Sequence, residues 1–234
     1  MKVNLSRLPT FLAIIGLTAL LAGCGSDSHH SSPNATYDVE VTNLTANQPL
    51  SPLAVILHKQ GYIAWQAGSA ASDGLEQLAE GGAPDAFLDE ADSSPEVLDT
   101  QAGTTAILPG QSANVTVHGP ATSSQVTIAT MLVNSNDAFT GTAGQTLATL
   151  KVGQTLTLDV PAYDAGTEAN SETAASVPGP AAGGEGYNPQ RNDRDIVIVH
   201  PGIISVDDGL VNSALHESHR IQNPVARLAI TRSK

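Results

Sequence analysis

The sequence predicts an all-β fold, an antiparallel β-sandwich of about eight or nine strands with one or two short helices. Three observations carry this reading. Gly (21) and Pro (14) recur between short apolar runs rich in Val and Thr, the composition of a many-turned strand protein. Charged residues make up only 14% of the 234, too few for the Glu-, Lys- and Leu-rich bundles and coiled coils. The apolar runs either alternate with period two or stay apolar over a strand's length, and turn residues bound them.

Residues 1–23 read as a secretory signal. Lys2 and Arg7 supply its positive start, and 11–21 is an apolar stretch too short to span a bilayer comfortably. It closes on Leu21-Ala22-Gly23-Cys24, a bacterial lipobox, so cleavage before Cys24 and diacylglycerol attachment to its thiol are expected. Cys24 is the only cysteine, which excludes an intrachain disulfide. The expected product is held to the membrane by its acyl chains without spanning it. That places it in the bacterial cell envelope, periplasmic or surface-exposed. Gly25, rather than Asp, after the modified Cys favours the outer membrane. Residues 24–35, rich in Ser, His and Asp, form a flexible tether. The globular domain is expected over 36–234.

Within that domain Tyr37, Val39 and Val41 alternate with Asp38, Glu40 and Thr42, a half-buried strand ending at Asn43. Residues 53–57 form a second, continuously apolar strand. Asp73 with Glu76 three residues on resembles a capping box, and Leu75, Leu78 and Ala79 give a helix its apolar face before Gly81-Gly82 stops it. Pro84 can open a second short helix with Phe87, Leu88 and Ala91 on one side. Further strands are expected at 104–108, 113–118, 126–133, 147–151, 155–160, 195–200 and 225–231. The 126–133 strand is expected at the centre of a sheet. Leu156, Leu158 and Val160 alternate as a strand with one wet face and one in the core. Two long interruptions, 162–194 and 202–223, are long enough to carry function.

The most informative polar residues leave two of these strands. Asn134-Ser135-Asn136-Asp137 follows Val133, and Asp164-Ala165-Gly166-Thr167-Glu168 follows closely on Val160. Carboxylates on loops at one end of a sandwich can converge on a hard cation, and calcium takes six to eight oxygen ligands. Gly166 lets the chain curl so that Asp164 and Glu168 face one point. The bland alternative is a pair of turns with solvated acids. His200, His216 and His219 form a candidate secondary site, but His216-Glu217-Ser218-His219 has its histidines three apart where a zinc helix needs four. No G-x-S-x-G elbow and no Gly-rich phosphate loop is present. A net charge of −13 argues against a nucleic-acid partner.

At these residues the sequence resembles the spondin amino-terminal domain family, the adhesion module of F-spondin and mindin with many bacterial lipoprotein relatives. The matching stretches begin with Tyr37-Asp38-Val39-Glu40-Val41-Thr42-Asn43-Leu44-Thr45, Gln48-Pro49-Leu50-Ser51-Pro52 and Ala71-Ser72-Asp73-Gly74-Leu75. They continue through Met131-Leu132-Val133, Asp137-Ala138-Phe139-Thr140-Gly141, Tyr163-Asp164-Ala165-Gly166-Thr167-Glu168 and Asn223-Pro224-Val225-Ala226-Arg227-Leu228. The resemblance implies a sandwich similar to the calcium-dependent phospholipid-binding sandwiches. It also implies one bound calcium ion with Asp137, Asp164 and Glu168 as its ligands. Where animal members have Trp after the first aspartate and an acidic residue in a neighbouring strand, this chain has Ala138-Phe139 and Asn114.

The expected function is therefore that of a noncatalytic, calcium-binding envelope lipoprotein with an adhesion or matrix-interaction role. Its expected partners are the membrane, through the lipid anchor, and an extracellular glycan or protein ligand. The alternative is a metal-dependent hydrolase acting on envelope or extracellular polymers, which a histidine beside the metal would favour.

Overall fold

The computed structural model describes residues 34–122, 124–190 and 192–234. The signal segment, Cys24 and nearly all of the tether lie outside the described residues. Ten strands and two short α-helices are described, in the order β1 (Asn34–Asn43), β2 (Ala54–Lys59), α1 (Asp73–Gly81), α2 (Asp85–Asp92), β3 (Val97–Ala102), β4 (Ser112–Pro120), β5 (Ser124–Met131), β6 (Ala138–Thr146), β7 (Thr155–Val160), β8 (Ala162–Asp164), β9 (Ile198–Val199) and β10 (Ala226–Arg232). They build two antiparallel sheets, β4-β1-β10-β7 and β3-β2-β5-β6-β8-β9. This is the sandwich that the sequence predicts.

Period two accounts for the first sheet. Tyr37, Val39 and Val41 of β1 point inward with Val115, Val117, Leu228 and Ile230, while Asp38, Glu40 and Thr42 face outward. The inner face of the second sheet answers with Val55, Leu57, Val126 and Ile128, and the two sets form one core. The continuous apolar runs of β2 and β5 have a different cause: both of their faces are covered. Ala54, Ile56 and Ala129 point away from the sandwich core and pack beneath Leu75, Leu78, Phe87 and Leu88 of the two helices, together with Trp65 and Phe139. β5 lies between β2 and β6, the central position expected for it.

The helices form where expected, with one shift. Ser72, rather than Asp73, caps α1, its side chain accepting from the Leu75 amide at 3.3 Å. Gly82 closes it in the left-handed region at φ 71°. Gly74 brings the helices close: its amide donates to Glu90 Oε2 at 2.9 Å, and a Cβ there would stand 2.8 Å from the Phe87 Cα.

Several expected strands are corrected. Residues 104–108 contribute only a bridge from Ile107 to Leu50, and Pro109-Gly110 turns the chain away before a ladder can extend. Residues 147–151 are a turn, with the Leu150 amide on the Leu147 carbonyl at 2.9 Å. Only Ile198–Val199 of 195–200 pairs as a strand, since Asp195 at φ 52° breaks extended geometry. Leu156 and Leu158 are half-buried, because β7 is an edge of its sheet and the facing sheet covers it incompletely. Three strands escape the sequence reading, among them β8, whose three residues open the stretch read as the interruption 162–194. β3 is a half-exposed edge strand with weak alternation. β6 is rich in Thr and Gly, which read as turn residues. Gly141 is there because a Cβ would stand 1.7 Å from the Ile128 carbonyl oxygen of the neighbouring strand.

Candidate metal centre

Antiparallel pairing of β6 with β8 decides where the acids stand. Ala138 pairs with Asp164, so Asp137, just before β6, lies beside the end of β8, and the Ala165 amide donates to its carbonyl at 3.2 Å. The turn that delivers Asp137 is fixed by its own polar residues. Ser135 Oγ donates to the Leu132 carbonyl at 2.5 Å and accepts from the Ala138 amide at 3.0 Å. Gln48 clamps Asn134 from both sides, donating to its carbonyl at 2.8 Å and accepting from its amide at 3.0 Å.

Asp137 and Asp164 are both fully buried. Asp137 Oδ2 accepts from the amides of Thr167 at 2.9 Å and Glu168 at 3.1 Å, whereas its Oδ1 is buried with no hydrogen-bond partner. Asp164 Oδ1 accepts from the Gly166 amide at 2.8 Å, closing the sharp bend expected there. Gly166 has φ 72°, and a Cβ on it would stand 2.5 Å from the Ile196 carbonyl oxygen. Asp164 Oδ2 accepts from Asn170 Nδ2 at 2.7 Å and has the Arg194 guanidinium at 3.9 Å. Glu168, the third expected ligand, is buried nearby and accepts from Asn136 Nδ2 at 2.8 Å through Oε1. The structure thus brings all three acids to one end of the second sheet.

Three further groups join them that were not expected as ligands, of which only Asn136 lies in the stretches singled out above. Glu172 is 1% exposed, and its Oε2 has no hydrogen-bond partner. Asn170 turns its amide nitrogen to Asp164 and leaves Oδ1 buried and unbonded. Asn136 ties Glu168 to the Glu172 amide, which it accepts at 3.1 Å. A signal was available: polar oxygen donors continue at every second position, Glu168, Asn170 and Glu172, along the loop from Asp164.

The electrostatics are those of crowded, buried anions. Burial, reinforced by the charge of Asp164, pushes the Asp137 carboxyl up to about 7 despite the two amides that favour its ionised form. Burial does the same to Glu172, also raised to about 7, with Asp164 adding to the shift and the Ile204 amide opposing it. Burial drives His200 down to about 4, against the pull of Asp164.

The histidines separate. His200 lies at Asp164, but its Nδ1 accepts from the Gly202 amide at 3.0 Å, which puts the proton of the neutral ring on Nε2. Its Nε2 is then a donor, buried without a hydrogen-bond partner. His216 and His219 stand on a separate short turn with ring centres 6.3 Å apart. There His219 Nδ1 accepts from the His216 amide and its Nε2 lies 3.0 Å from Asn47 Nδ2. Asn114 is exposed in the first sheet opposite Glu40, away from the buried acids.

Among the described residues, no group of three or more His, Cys, Asp or Glu side chains is placed, as the side chains stand, to hold a metal ion. Both oxygens of Asp164 are engaged, by the Gly166 amide and by Asn170. The donor chemistry nevertheless fits a hard cation. Asp137 Oδ1, Asn170 Oδ1 and Glu172 Oε2 are oxygens taken from water without a donor in exchange. A cavity of about 420 Å³ lined by Tyr62, Ile63, Trp65 and glutamines lies elsewhere, while a smaller one of about 360 Å³ adjoins Glu168, Ser171 and Ser176.

Comparison with known families matches residues 34–182 to Spondin_N, the spondin N-terminal domain. A search of curated proteins gives no significant match.

Proposed function

Because the chain belongs to the spondin N-terminal domain family, we propose that it is a calcium-binding, noncatalytic envelope lipoprotein acting in adhesion or matrix interaction. The observation that supports this most directly is Asp137 Oδ1, buried without a donor beside the equally buried Asp164. Two carboxylates so placed repel each other, and a divalent cation removes both that repulsion and the desolvation cost. Asp137, Asp164 and Glu168 hold the ion in this reading, and the ion's chemistry is structural, neutralising charge and fixing loops.

Adhesion rather than catalysis is favoured by what surrounds the acids. Asp137, Asp164 and Glu172 are enclosed, whereas a catalytic metal keeps an open coordination position. His200, the residue that a hydrolase would recruit, is engaged at Nδ1 by the Gly202 amide, and its Nε2 is buried without a partner. The ligand is a glycan or protein outside the cell, reached from a lipid anchor at Cys24. No described helix is long and apolar enough to cross a membrane.

Calorimetric titration with calcium, paired with thermal melting in calcium and in chelator, tests the reading. Saturable binding with a raised melting temperature is expected. Identical melting in both solutions and no heat of binding would discard it.

A further inference from the structure

We propose that Glu172 is an additional carboxylate ligand of the cation at Asp137 and Asp164, and that binding thereby fastens the C-terminal loop 203–215 to the end of the sandwich. This rests on the metal reading above but reaches residues beyond the 34–182 family match.

Glu172 is built into place from every side. Its amide donates to Asn136 Oδ1 at 3.1 Å, and its carbonyl accepts from the Ala214 amide at 2.7 Å. Its carboxylate Oε1 accepts from the Ile204 amide at 3.2 Å. Thr173 continues the attachment as a bridge to Ser213. One residue therefore joins the two long segments that the sequence left as separate interruptions. The backbone takes φ 55° to do so, a conformation that a residue with a Cβ rarely adopts.

The side chain then ends in an unmet requirement. Glu172 is 1% exposed, Oε2 has no hydrogen-bond partner, and its charge interacts with that of Asp164. Asp137 Oδ1 and Asn170 Oδ1 are left in the same condition. Three buried oxygens without a donor, on residues that hydrogen-bond to Asp164 or interact with its charge, match the chemistry that a hard cation takes, since calcium coordinates carboxylate and amide oxygens together. With Oε2 on the ion and Oε1 on the Ile204 amide, one carboxylate links the metal to the C-terminal loop.

The test uses the full chain in detergent, comparing wild type with Glu172→Ala, Glu172→Gln and Asp164→Asn. Calcium affinity is measured by calorimetry, and bound water is counted from terbium luminescence lifetimes in light and heavy water. Hydrogen exchange follows the Ile204 and Ala214 amides with and without calcium. Glu172→Ala is expected to weaken calcium binding roughly tenfold and admit about one more water to the ion. It should also abolish calcium-dependent protection of both amides. Glu172→Gln keeps the volume and separates loss of the ligand from loss of the fold. If wild type binds calcium and Asp164→Asn abolishes binding, yet both Glu172 variants keep wild-type affinity and hydration, Glu172 is not a ligand while the metal reading stands. Calcium-dependent protection that persists in those variants would overturn the link to the loop. Failure of wild type to bind calcium overturns both proposals.

Discussion

The Thr167 amide donates to Asp137 Oδ2 at 2.9 Å, so the loop that leaves Asp164 folds back onto the other buried aspartate. The pairing is possible because β6 and β8 run antiparallel with Ala138 opposite Asp164. It fixes one oxygen of Asp137 and leaves the other buried without a donor. The two acids are thus one electrostatic unit, and the predictions begin from that coupling.

Asp164→Asn removes a charge that raises the carboxyls of both Asp137 and Glu172. In chelator its melting temperature should stay within a few degrees of wild type, because a lost repulsion offsets a lost acceptor. In calcium it should lose most of the ligand-dependent rise. Paired melting curves of the variant and wild type check this. A full calcium response in the variant would remove Asp164 from the site.

The pH dependence without divalent cations follows from three groups. Asp137 and Glu172 are raised from 3.8 and 4.5 to about 7, so between those values the native state holds protons that the unfolded chain has released. Their contribution is greatest at low pH and is lost as pH rises toward about 7. His200, lowered from 6.5 to about 4, acts oppositely, its contribution being present above 6.5 and lost as pH falls. Two acids outweigh one base. Denaturant melts in chelator should therefore show stability falling from about pH 4.5 to 7, then levelling. Calcium should flatten the decline, since it selects the ionised carboxylates. Rising stability across that interval in chelator would contradict the assigned burial.

Leu57 and Leu158 have the same side chain in different settings. Leu57, fully buried in β2 between the sheets, should cost about 2–5 kcal/mol on truncation to Ala. Leu158, half-buried on the edge strand β7, should cost about 1 kcal/mol, because its removed methyls were only partly withdrawn from water. Equilibrium unfolding in urea of the two variants measures the difference.

Cys24→Ala removes the thiol expected to carry the lipid. Fractionation should find this variant released from the membrane or retained as an uncleaved precursor. Correct processing with unchanged membrane attachment would end the lipoprotein reading.

What the amino-acid sequence determined by itself was whatever depends on neighbours along the chain. The alternation Tyr37, Val39, Val41 specified a strand and its inward face, because successive side chains in a strand point oppositely. Leu75, Leu78 and Ala79 with the terminal Gly82 specified α1 in the same way. Asp137, Asp164, Gly166 and Glu168 were legible as two acidic bends following strands. Strand pairing decided the rest, since it rests on contacts between distant residues. β6 was hidden because Gly141 and its threonines satisfy Ile128 and the neighbouring strands rather than any local preference. Leu158 reads as core in its own strand, and only the position of β7 at a sheet edge leaves it half covered. Glu172 and Asn170 look like solvated loop residues. Each has a buried oxygen without a donor only because the loop after β8 closes over Asp164 and, at Glu172, the C-terminal segment closes over the loop. Burial and charge interaction depend on what folds on top of a residue, and for these acids that is chain up to about forty residues further along.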